Sequence, residues 1–455
     1  MQNAVISHIK IGGSRENIYL TGDVLQSLRM LVEPFFRSLP RLPSERCIDL
    51  LNIAAGIYAV DRLIKRNRGS SYCTSRSCAI TAAVRDMEFW NQPAIKAQIE
   101  EIILFLTDEY WEISFEPAPK KNGEGRHQHP LRLPTPYQAE RVALYSGGLD
   151  SAAGLANQLI AGVHKYVLVT IGHQAWLRKK TTQQLQSLQD LLQIPPLLHS
   201  TIVTGLRGRC AVPLNRQERT QRTRSLLFAA CAVAVASVFD IQQIEVFENG
   251  LGSINFPIMT GAMFGGLTTR GAHPTFLREM AALGSAVVEY PLVLSLPFAR
   301  WTKAQMLMPL RDHGLALWAQ TSRSCVHSSW RIAGKTHCGT CPACIERRQA
   351  FATAEIAESD YYSTDVLRGF PKSGVDADYL RLYLDEARAW LDDDPRPRRR
   401  LYAHLRLTDV PLQEDDQIAL LHMRHSREVA SVFRYHGSPN AAHRWRRYSQ
   451  EKTGT

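Results

Sequence analysis

The chain contains 455 residues, 45% of them hydrophobic, and carries a formal net charge of +11 at pH 7. This length supports two or three domains with a large core, and the composition is that of an ordinary globular protein. The basic excess favours anionic partners, namely nucleotides, nucleic acid or an acidic protein. We do not favour nucleic acid among these, because no interleaved basic and aromatic motif of a known binding module occurs.

The N-terminal residues lack a basic region followed by an apolar core, so they predict no secretion signal. No run of about twenty apolar residues occurs, and the longest apolar run, 226–238, predicts a buried helix rather than a membrane span. The nine cysteines are an odd number, and three of them crowd together near residue 340. This usage indicates metal ligands in a reducing compartment rather than a disulfide framework. We therefore expect a cytoplasmic protein that does not enter a membrane.

Residues 1–116 predict a small α+β N-terminal domain. Its predicted elements are strands at 4–11 and 17–20 with a turn at 12–14, a helix at 47–65, a strand at 78–84, a helix from Asn91 with Pro93 in its first turn, and a strand at 110–115. We see no catalytic constellation here and expect a structural or partner-binding role. Cys73 and Cys78 leave metal binding as an alternative.

Residues 117–137 combine prolines, glycines and charges with little apolar periodicity, which is typical of a linker. His127 and His129 lie in this linker, and we interpret them as solvated rather than metal-binding. Residues 369–455 predict a basic and mainly helical extension, with a helix near 415–433.

From residue 138 onward the pattern changes to alternating strands and helices. The predicted elements are strands at 142–145, 165–171, 199–203, 243–248 and 286–291, and helices at 152–161, 181–192, 222–239 and 273–283. Apolar strands joined by helices predict an α/β fold over residues 138–368, with a parallel, doubly wound sheet that is covered on both faces. Ligands of such sheets bind beyond the carboxyl ends of the strands, so the segments leaving those ends are the candidate sites.

The first strand of this sheet runs into the loop Ser146-Gly147-Gly148-Leu149-Asp150-Ser151. The glycines allow the backbone to approach a ligand closely, and the helix that follows directs free N–H groups and its positive dipole end at the loop. Such a loop suits a phosphate or pyrophosphate. Ser146 and Ser151 add hydroxyl donors, whereas Asp150 caps the helix or holds Mg²⁺. It is not a Walker loop, which requires a Lys-Ser/Thr pair after a second glycine.

A cysteine cluster near the end of this region predicts a zinc site. Its members are Cys325, Cys338, Cys341 and Cys344. Thiolates separated by two residues fold back on one Zn²⁺, and a fourth at a distance completes the tetrahedron. His327 and His337 are substitutes if one cysteine is not used. Four thiolates leave no open coordination position, so we expect the metal to be structural.

A third group of residues lies at two places, directly after a predicted strand and at the start of a later predicted helix. It consists of Glu248, Asn249, Gly250, Arg270 and His273. Asn and Glu side chains read the donor and acceptor edge of a purine-like base, and Arg270 is suited to neutralise a carboxylate. The alternative is that these residues are helix caps and turn residues.

The loop at 146–151 resembles the pyrophosphatase loop of the ATP-pyrophosphatase (PP-loop) superfamily, in which Ser-Gly-Gly-x-Asp-Ser is a specific pattern. Members cleave ATP between the α- and β-phosphates and adenylate a carbonyl or carboxylate oxygen, while the loop holds the leaving pyrophosphate. The resemblance implies ATP and Mg²⁺ as cofactors and an adenine nucleotide alpha hydrolase-like fold. It also implies catalytic roles for Asp150 and Ser151.

The loop and the cysteine cluster, in this order, resemble the 7-cyano-7-deazaguanine synthase (QueC) family over roughly residues 140–355. The resemblance implies that Arg224 is a phosphate or carboxylate ligand, since it stands where the family has a Gly-Arg-Asn motif at a helix start. It also implies that Lys303 contacts the γ-phosphate. Here Thr302-Lys303-Ala304-Gln305 replaces the family's Asp-Lys-x-Glu, so the acidic residues are missing.

The chain is longer than the synthase, with additions at both ends. In this it resembles the QatC-type, QueC-like component of anti-phage defence operons, whose relatives are associated with attaching a deazaguanine to the N-terminus of a partner protein. The resemblance implies an AMP-forming C–N ligase that adenylates a 7-carboxy-7-deazaguanine-like acid and transfers it to a protein from the same operon. A nitrile synthase that uses ammonia and a non-catalytic nucleotide-binding scaffold are the alternatives, and oligomer formation stays open.

Overall fold

The computed structural model describes most of the chain between residues 7 and 436. The described residues are 7–13, 17–22, 25–31, 39, 41–63, 78–118, 138–172, 175–203, 218, 221–256, 269–327, 336–358, 361–369, 375–392 and 394–436. Cys73, His127 and His129 lie outside them, as does most of the predicted linker. The metal-binding alternatives at these positions and the domain boundaries therefore stay predictions.

The first sheet is built from five strands in the order β3-β2-β1-β4-β5. They are β1 Ser7–Gly13, β2 Asn17–Gly22, β3 Leu25–Leu31, β4 Cys78–Val84 and β5 Trp111–Pro117. The first three strands pair antiparallel, whereas β1, β4 and β5 pair parallel, so the sheet is mixed. The turn predicted at 12–14 begins too early, because Gly12 and Gly13 still pair with β2, and β3 was not predicted.

The described helices of this region are α1 Glu45–Leu63, α2 Met87–Trp90 and α3 Pro93–Thr107. Two carboxylates that interrupt the apolar surface of α1 are hydrogen-bonded in the interior. Asp49 accepts bonds from the backbone N–H and the guanidinium of Arg85, at 2.7 and 2.6 Å. Asp61 accepts bonds from the backbone N–H and the hydroxyl of Thr223, at 3.2 and 3.1 Å, which links α1 to the second half of the protein.

The second sheet contains five parallel strands in the order β10-β9-β6-β7-β8. They are β6 Arg141–Leu144, β7 Tyr166–Gly172, β8 Leu198–Val203, β9 Gln243–Val246 and β10 Val293–Ser295. The strand order reverses between β6 and β9, and ligands of open α/β sheets bind in the crevice at the carboxyl ends of such a pair. The predicted parallel, doubly wound α/β fold is confirmed.

In this region, helices pack on the second sheet and on one another. They are α4 Leu149–Ile160, α5 Ala175–Leu192, α6 Arg224–Phe239, α7 Gly250–Ile254, α8 Pro274–Val288, α9 Lys303–Asp312, α10 Ala316–Gln320 and α11 Pro342–Thr353. The apolar helix α6 packs on α1, and α8 packs on α3. The first sheet's helices and the second sheet therefore share one hydrophobic core, to which Ile48, Trp90, Val142 and Val233 contribute.

The strand predicted at 286–291 is wrong. Helix α8 continues to Val288, and the last strand of the sheet is Val293–Ser295. The run from Ala286 to Val288 is apolar, and in so short a run periodicity does not separate a strand from a buried helix face. The helix ends at Glu289, whose φ of 65° is the left-handed conformation of a helix C-cap.

The described part of the C-terminal extension is helical. It contains α12 Val375–Leu391, α13 Pro395–Leu407 and α14 Asp415–Ser431, with a 3₁₀ turn at Leu412–Glu414 and a π-helical turn at Val432–His436. Helix α14 reaches the start of α9, where Glu428 accepts a hydrogen bond from Thr302 at 2.7 Å. Among the helices of the described ranges, none is both long and apolar enough to cross a bilayer.

Candidate active site

The candidate phosphate loop lies between β6 and α4, at the carboxyl end of the central strand. Ser146 and Ser151 face each other across it, with their hydroxyl oxygens 2.9 Å apart. The Ser151 hydroxyl also accepts from the backbone N–H of Ser146 at 3.2 Å and donates to the carbonyl of Gly148 at 3.1 Å. Helix α4 begins with no side-chain cap on its first amides. These amides and the positive end of the helix dipole suit an anion.

The geometry of the loop requires a glycine at position 147 and leaves little space at Gly148. Gly147 has a φ of 72°, in the left-handed region that residues with a side chain rarely adopt. A Cβ atom there would lie 3.0 Å from the Thr181 hydroxyl, and one on Gly148 would lie 3.1 Å from the Ser146 hydroxyl. A side chain at either position would therefore crowd the groups that shape the loop.

Asp150 belongs to an ion-pair network with two neighbouring elements. Its carboxylate lies 3.2 Å from the ammonium of Lys303, which also contacts Glu346 at 2.7 Å. Burial alone would lower the pKa of Lys303, but the carboxylates of Asp150, Glu346 and Glu248 raise that pKa above its ordinary value. Lys303 is therefore a permanent cation beside the loop. Glu346 was not predicted, because nothing in the sequence distinguishes it from other helix-surface acids.

Glu248 and Asn249 leave β9 and join the same network. The Asn249 amide donates to Asp150 at 2.8 Å and to Glu248 at 2.9 Å, so one nitrogen bridges two carboxylates. Its oxygen accepts from the backbone N–H of Gly252 at 3.0 Å and caps α7. Burial, followed by the charge of Asp150, raises the pKa of Glu248 well above its ordinary value. These bonds favour a positioning role for Asn249 over the predicted substrate contact.

The network fits a divalent cation. Asp150, Glu248 and Glu346 set three carboxylates against the single ammonium of Lys303, an excess of two negative charges when all are ionised. Mg²⁺ prefers carboxylate and phosphate oxygens, and one or two carboxylates usually hold it. Asp150 and Glu248 would hold the ion, which when bound would neutralise charge on the phosphates of ATP.

Thr302 and Gln305, the neutral residues on either side of Lys303, cap the N-terminus of α9. Thr302 accepts from the backbone N–H of Gln305 at 3.2 Å, and the Gln305 side chain accepts from the backbone N–H of Thr302 at 3.0 Å. This reciprocal pair is a complete capping box. The acids missing from this motif are thus not needed to begin the helix, and Asp150 and Glu346 supply negative charge from other elements.

A cavity of 250 Å³ opens beside the loop, over the ends of β6, β7 and β9. Ser146 and Glu248 line one side of it, and Arg224 and Ser225 at the start of α6 line another. The exposed guanidinium of Arg224 lies 5.5 Å from the Phe228 ring centroid. The hydroxyl of Ser225 is buried and has no hydrogen-bond partner among the described residues. Ser225 was missed in the sequence, although an unpaired hydroxyl beside an arginine suits a carboxylate or phosphate.

Arg270 and Gly250, predicted as substrate-binding residues, have structural contacts instead. The guanidinium of Arg270 donates to the carbonyl of Phe105 and to the carboxylate of Asp108, both at 2.7 Å. A Cβ atom on Gly250 would lie 2.0 Å from the carbonyl oxygen of Ala299, so this glycine permits close packing. Neither residue lines the cavity.

His273, also predicted to bind the substrate, makes a structural contact. It is completely buried, does not line the cavity, and caps α8 by accepting the backbone N–H of Thr275 on Nδ1 at 3.2 Å. Burial, followed by the positive side chains around it, lowers the pKa of His273 from 6.5 to about 3. The alternative reading of this residue as a helix cap is therefore the one that its geometry supports.

We expect His273 to make the fold sensitive to acid. Because the unfolded chain binds the proton more readily, the contribution of His273 to stability is complete above pH 6.5 and is lost as the pH falls towards about 3. The loss is at most about 1.4 kcal/mol per pH unit. His273→Asn retains a capping side chain and should flatten the fall of Tm between about pH 7 and pH 5, measured by thermal unfolding. His313→Asn, at an exposed site, is the control, and equal slopes in all three proteins would refute the expectation.

A second cavity, of 340 Å³, lies on the other side of Gly147. Its described lining contains two basic side chains, Lys180 and Arg323, and no carboxylate. The loop therefore separates two cavities, and both have basic residues in their walls. The second cavity therefore favours an anion, whereas the wall of the first cavity also contains Glu248.

The four predicted zinc ligands come together in space. Their sulfur atoms all lie within 4.8 Å of one another, and they belong to Cys325, Cys338, Cys341 and Cys344. The sulfurs of Cys338 and Cys344 are 3.8 Å apart. Tetrahedral Zn–S bonds of about 2.3 Å require sulfur separations of about 3.8 Å, so the set fits a structural Zn²⁺. Within the described residues, neither His327 nor His337 joins the cluster.

Local contacts hold the cysteine cluster against the rest of the sheet domain. Gly339 has a φ of 85°, and a Cβ atom on it would lie 1.6 Å from the carbonyl oxygen of Thr364. The buried guanidinium of Arg347 pairs with Glu358 and donates to the carbonyl of Ser322 at 3.0 Å. This basic residue of α11 is therefore structural, and the same helix carries Glu346 to Lys303.

Comparison with known proteins supports this interpretation of the second sheet. Residues 140–355 match the family model described as Queuosine biosynthesis protein QueC. The 7-cyano-7-deazaguanine synthase of Magnetococcus marinus is 24% identical over 242 residues, which cover 49% of this chain and 96% of the relative. The 7-cyano-7-deazaguanine synthase of Rhodopirellula baltica is 26% identical over 137 residues, which cover 30% of this chain and 50% of the relative.

The matched segment begins just before β6 and ends just after α11. It contains the loop, Lys303 and the cysteine cluster, whereas the first sheet and the C-terminal helices lie outside it. The segment that matches the family is thus the one that contains the candidate site. Residues 140–355 are therefore a segment similar to the QueC family, in a chain that has further regions on both sides.

Proposed function

We propose that the protein is an ATP-dependent C–N ligase that adenylates a 7-deazaguanine carboxylate, releases pyrophosphate and transfers the acyl group to an amine. The observation that carries this proposal is the network of Asp150, Lys303 and Glu248 at the switch point of the parallel sheet. It combines a permanent cation with carboxylates that suit Mg²⁺, directly beside a loop with open helix amides. The QueC-like match supports ATP use and a deazaguanine substrate.

In the proposed first step, a carboxylate oxygen of the acid attacks the α-phosphorus of ATP. The bond from that phosphorus to the bridging oxygen breaks, and pyrophosphate leaves with the bonding electrons. The hydroxyls of Ser146 and Ser151 and the first amides of α4 donate to the leaving pyrophosphate, while Lys303 stabilises its charge. The acyl adenylate remains in the cavity.

The far side of the cavity suits the acid. Arg224 and Ser225 would bind its carboxylate with charge-assisted hydrogen bonds before the attack. Phe228 lies under the Arg224 guanidinium and lines the same cavity, which provides an aromatic surface for a flat base. In the second step an amine nitrogen attacks the acyl carbon, the bond to the AMP oxygen breaks, and the amine releases a proton. No protein nucleophile is needed, because the amine attacks the acyl adenylate directly and AMP leaves.

We propose that the amine is the N-terminus of a partner protein and that the reaction serves anti-phage defence. The support is indirect. Regions outside the QueC-like segment contact the site elements, as Asp61 does at Thr223 and Glu428 does at Thr302. A macromolecular acceptor requires more surface than ammonia does. The alternative is a synthase that uses ammonia to form 7-cyano-7-deazaguanine, and the similarity to two 7-cyano-7-deazaguanine synthases favours it.

Pyrophosphate release is the test of the catalytic proposal. Purified protein with ATP, Mg²⁺ and 7-carboxy-7-deazaguanine should release pyrophosphate and form AMP, and omission of the acid should stop both. No release with any deazaguanine acid would contradict the proposal and leave the scaffold alternative.

Intact-mass spectrometry of co-expressed operon neighbours separates the two acceptors. We expect one neighbour to gain the mass of a deazaguanine acyl group. An unchanged mass, together with formation of the free nitrile in the same reaction, would select the synthase.

A further inference from the structure

We propose that the region before residue 118 positions the acid-binding side of the cavity through two carboxylates, Asp61 and Asp108. Neither residue lies in the segment that matches the QueC family. The identity of the ligand rests on the proposed function, whereas the positioning itself rests on hydrogen bonds between the first region and two segments of the cavity wall. These segments are 221–225, before and at the start of α6, and 269–272, before α8.

Asp61 on α1 fixes the start of α6. Thr223 is the N-cap residue of α6, but its hydroxyl and its backbone N–H both bond to Asp61, at 3.1 and 3.2 Å. The Thr223 side chain therefore does not cap the helix. Tyr58, one turn earlier on α1, donates to Gln221 at 3.4 Å, and Gln221 in turn accepts from Arg224 at 3.2 Å. Helix α1 thus fixes the backbone that carries Arg224 and Ser225. The hydroxyl of Ser225 has no hydrogen-bond partner among the described residues.

Asp108 holds both segments at once. It is the C-cap residue of α3, with a φ of 59°. Arg270 donates to the Asp108 carboxylate and to the carbonyl of Phe105, both at 2.7 Å. Arg222 donates to the carbonyl of Thr107 at 2.7 Å and lies 3.7 Å from Asp108. The C-terminal end of α3 is therefore where an arginine from each segment is anchored, as expected for cations at a helix C-terminus.

The two anchored segments are in contact with each other. A Cβ atom on Gly271 would lie 2.7 Å from the Cβ of Ser225, so the two backbones approach closely. Displacement of one segment therefore disturbs the other. Asp108 also forms ion pairs with both Arg222 and Arg270, whereas the described bonds of Arg224 are to neutral groups. Arg224 is thereby left as a cation directed to an acid in the cavity.

Asp108→Asn is the variant that isolates this role. The carboxylate is 63% exposed, and asparagine tolerates the left-handed conformation, so the fold should be retained. The matched control is Asp240→Asn. Asp240 is the C-cap of α6 with a φ of 55°, is 76% exposed, and pairs with Arg41, which also donates to the helix carbonyl of Val238 at 2.7 Å. The two sites share their helix-end conformation, but Asp240 pairs with Arg41, whereas Asp108 pairs with an arginine from each anchored segment.

At saturating ATP, we expect Asp108→Asn to raise the KM for the acid about threefold with kcat within about twofold, and Asp240→Asn to change neither. Asp61→Ala should raise the KM at least about tenfold, because it leaves two buried donors unpaired. Asp61→Asn should recover much of that loss, since its amide oxygen still accepts hydrogen bonds.

Hydrogen exchange of the amides in 221–225 and 269–272 should accelerate in Asp108→Asn and not in Asp240→Asn.

Equal exchange and equal KM in Asp108→Asn and Asp240→Asn would overturn the proposal, as would a loss of kcat at unchanged KM. The exchange measurement requires no turnover. If the wild-type protein releases no pyrophosphate, the proposed function fails, and the exchange rates of the two variants still decide whether Asp108 positions the cavity wall.

Discussion

Asp150→Ala should abolish pyrophosphate release while the protein stays folded. The change removes the carboxylate that contacts Lys303 and Asn249 and that would hold Mg²⁺. Losing a charged group that stabilises phosphoryl transfer in a partly buried site is expected to cost about a thousandfold or more in rate. The fold should survive, because Lys303 keeps its ion pair with Glu346. Pyrophosphate release and thermal unfolding measure the two effects separately.

Two further variants make this result specific. Asp150→Asn keeps the shape of the side chain and should be as inactive as the alanine variant, because a neutral amide does not replace the carboxylate as a metal ligand. Glu140→Gln should behave as the wild type, since Glu140 forms an exposed pair with Lys165 before β6, at the opposite end of that strand. Activity within tenfold of the wild type in Asp150→Asn would remove Asp150 from the mechanism.

Cys341→Ser should deplete the protein of zinc and make it prone to unfold. Binding of structural Zn²⁺ contributes about 10–16 kcal/mol in zinc-finger peptides, so loss of one ligand has a large effect. Cys341 is the N-cap of α11, and Cys344 lies in the first turn of that helix. The same helix presents Glu346 to Lys303. Loss of the cluster should therefore disturb the ion pair between Lys303 and Glu346 as well as the stability.

Zinc content per chain, measured by atomic emission, and the temperature of unfolding are the two measurements. Cys231→Ala is the control, because this thiol is buried within α6 and lies outside the cluster. It should retain zinc in full. A soluble Cys341→Ser protein that still carries one zinc ion per chain would show that the cluster is not the metal site.

The sequence by itself predicted the features that depend on short spacings along the chain. The loop at 146–151 is a local structure, in which Gly147 supplies the left-handed φ and two serines stand across one turn. Thiolates at Cys338, Cys341 and Cys344 are close because the chain between them is short. The alternation of strands and helices predicted the parallel sheet, because each crossover requires a helix between neighbouring strands.

Only the tertiary structure decided which distant polar groups meet. Arg270 and His273 have side chains that suit a substrate, but packing directs one to the end of α3 and makes the other the cap of α8. Glu346 lies on the helix that follows the cysteines and is brought to Lys303 by the packing of α11 against α9. Hydrogen bonds and ion pairs of this kind act over about 3 Å and carry no signature in the sequence. The sequence therefore determined the candidate phosphate loop, and the fold decided which side chains surround it.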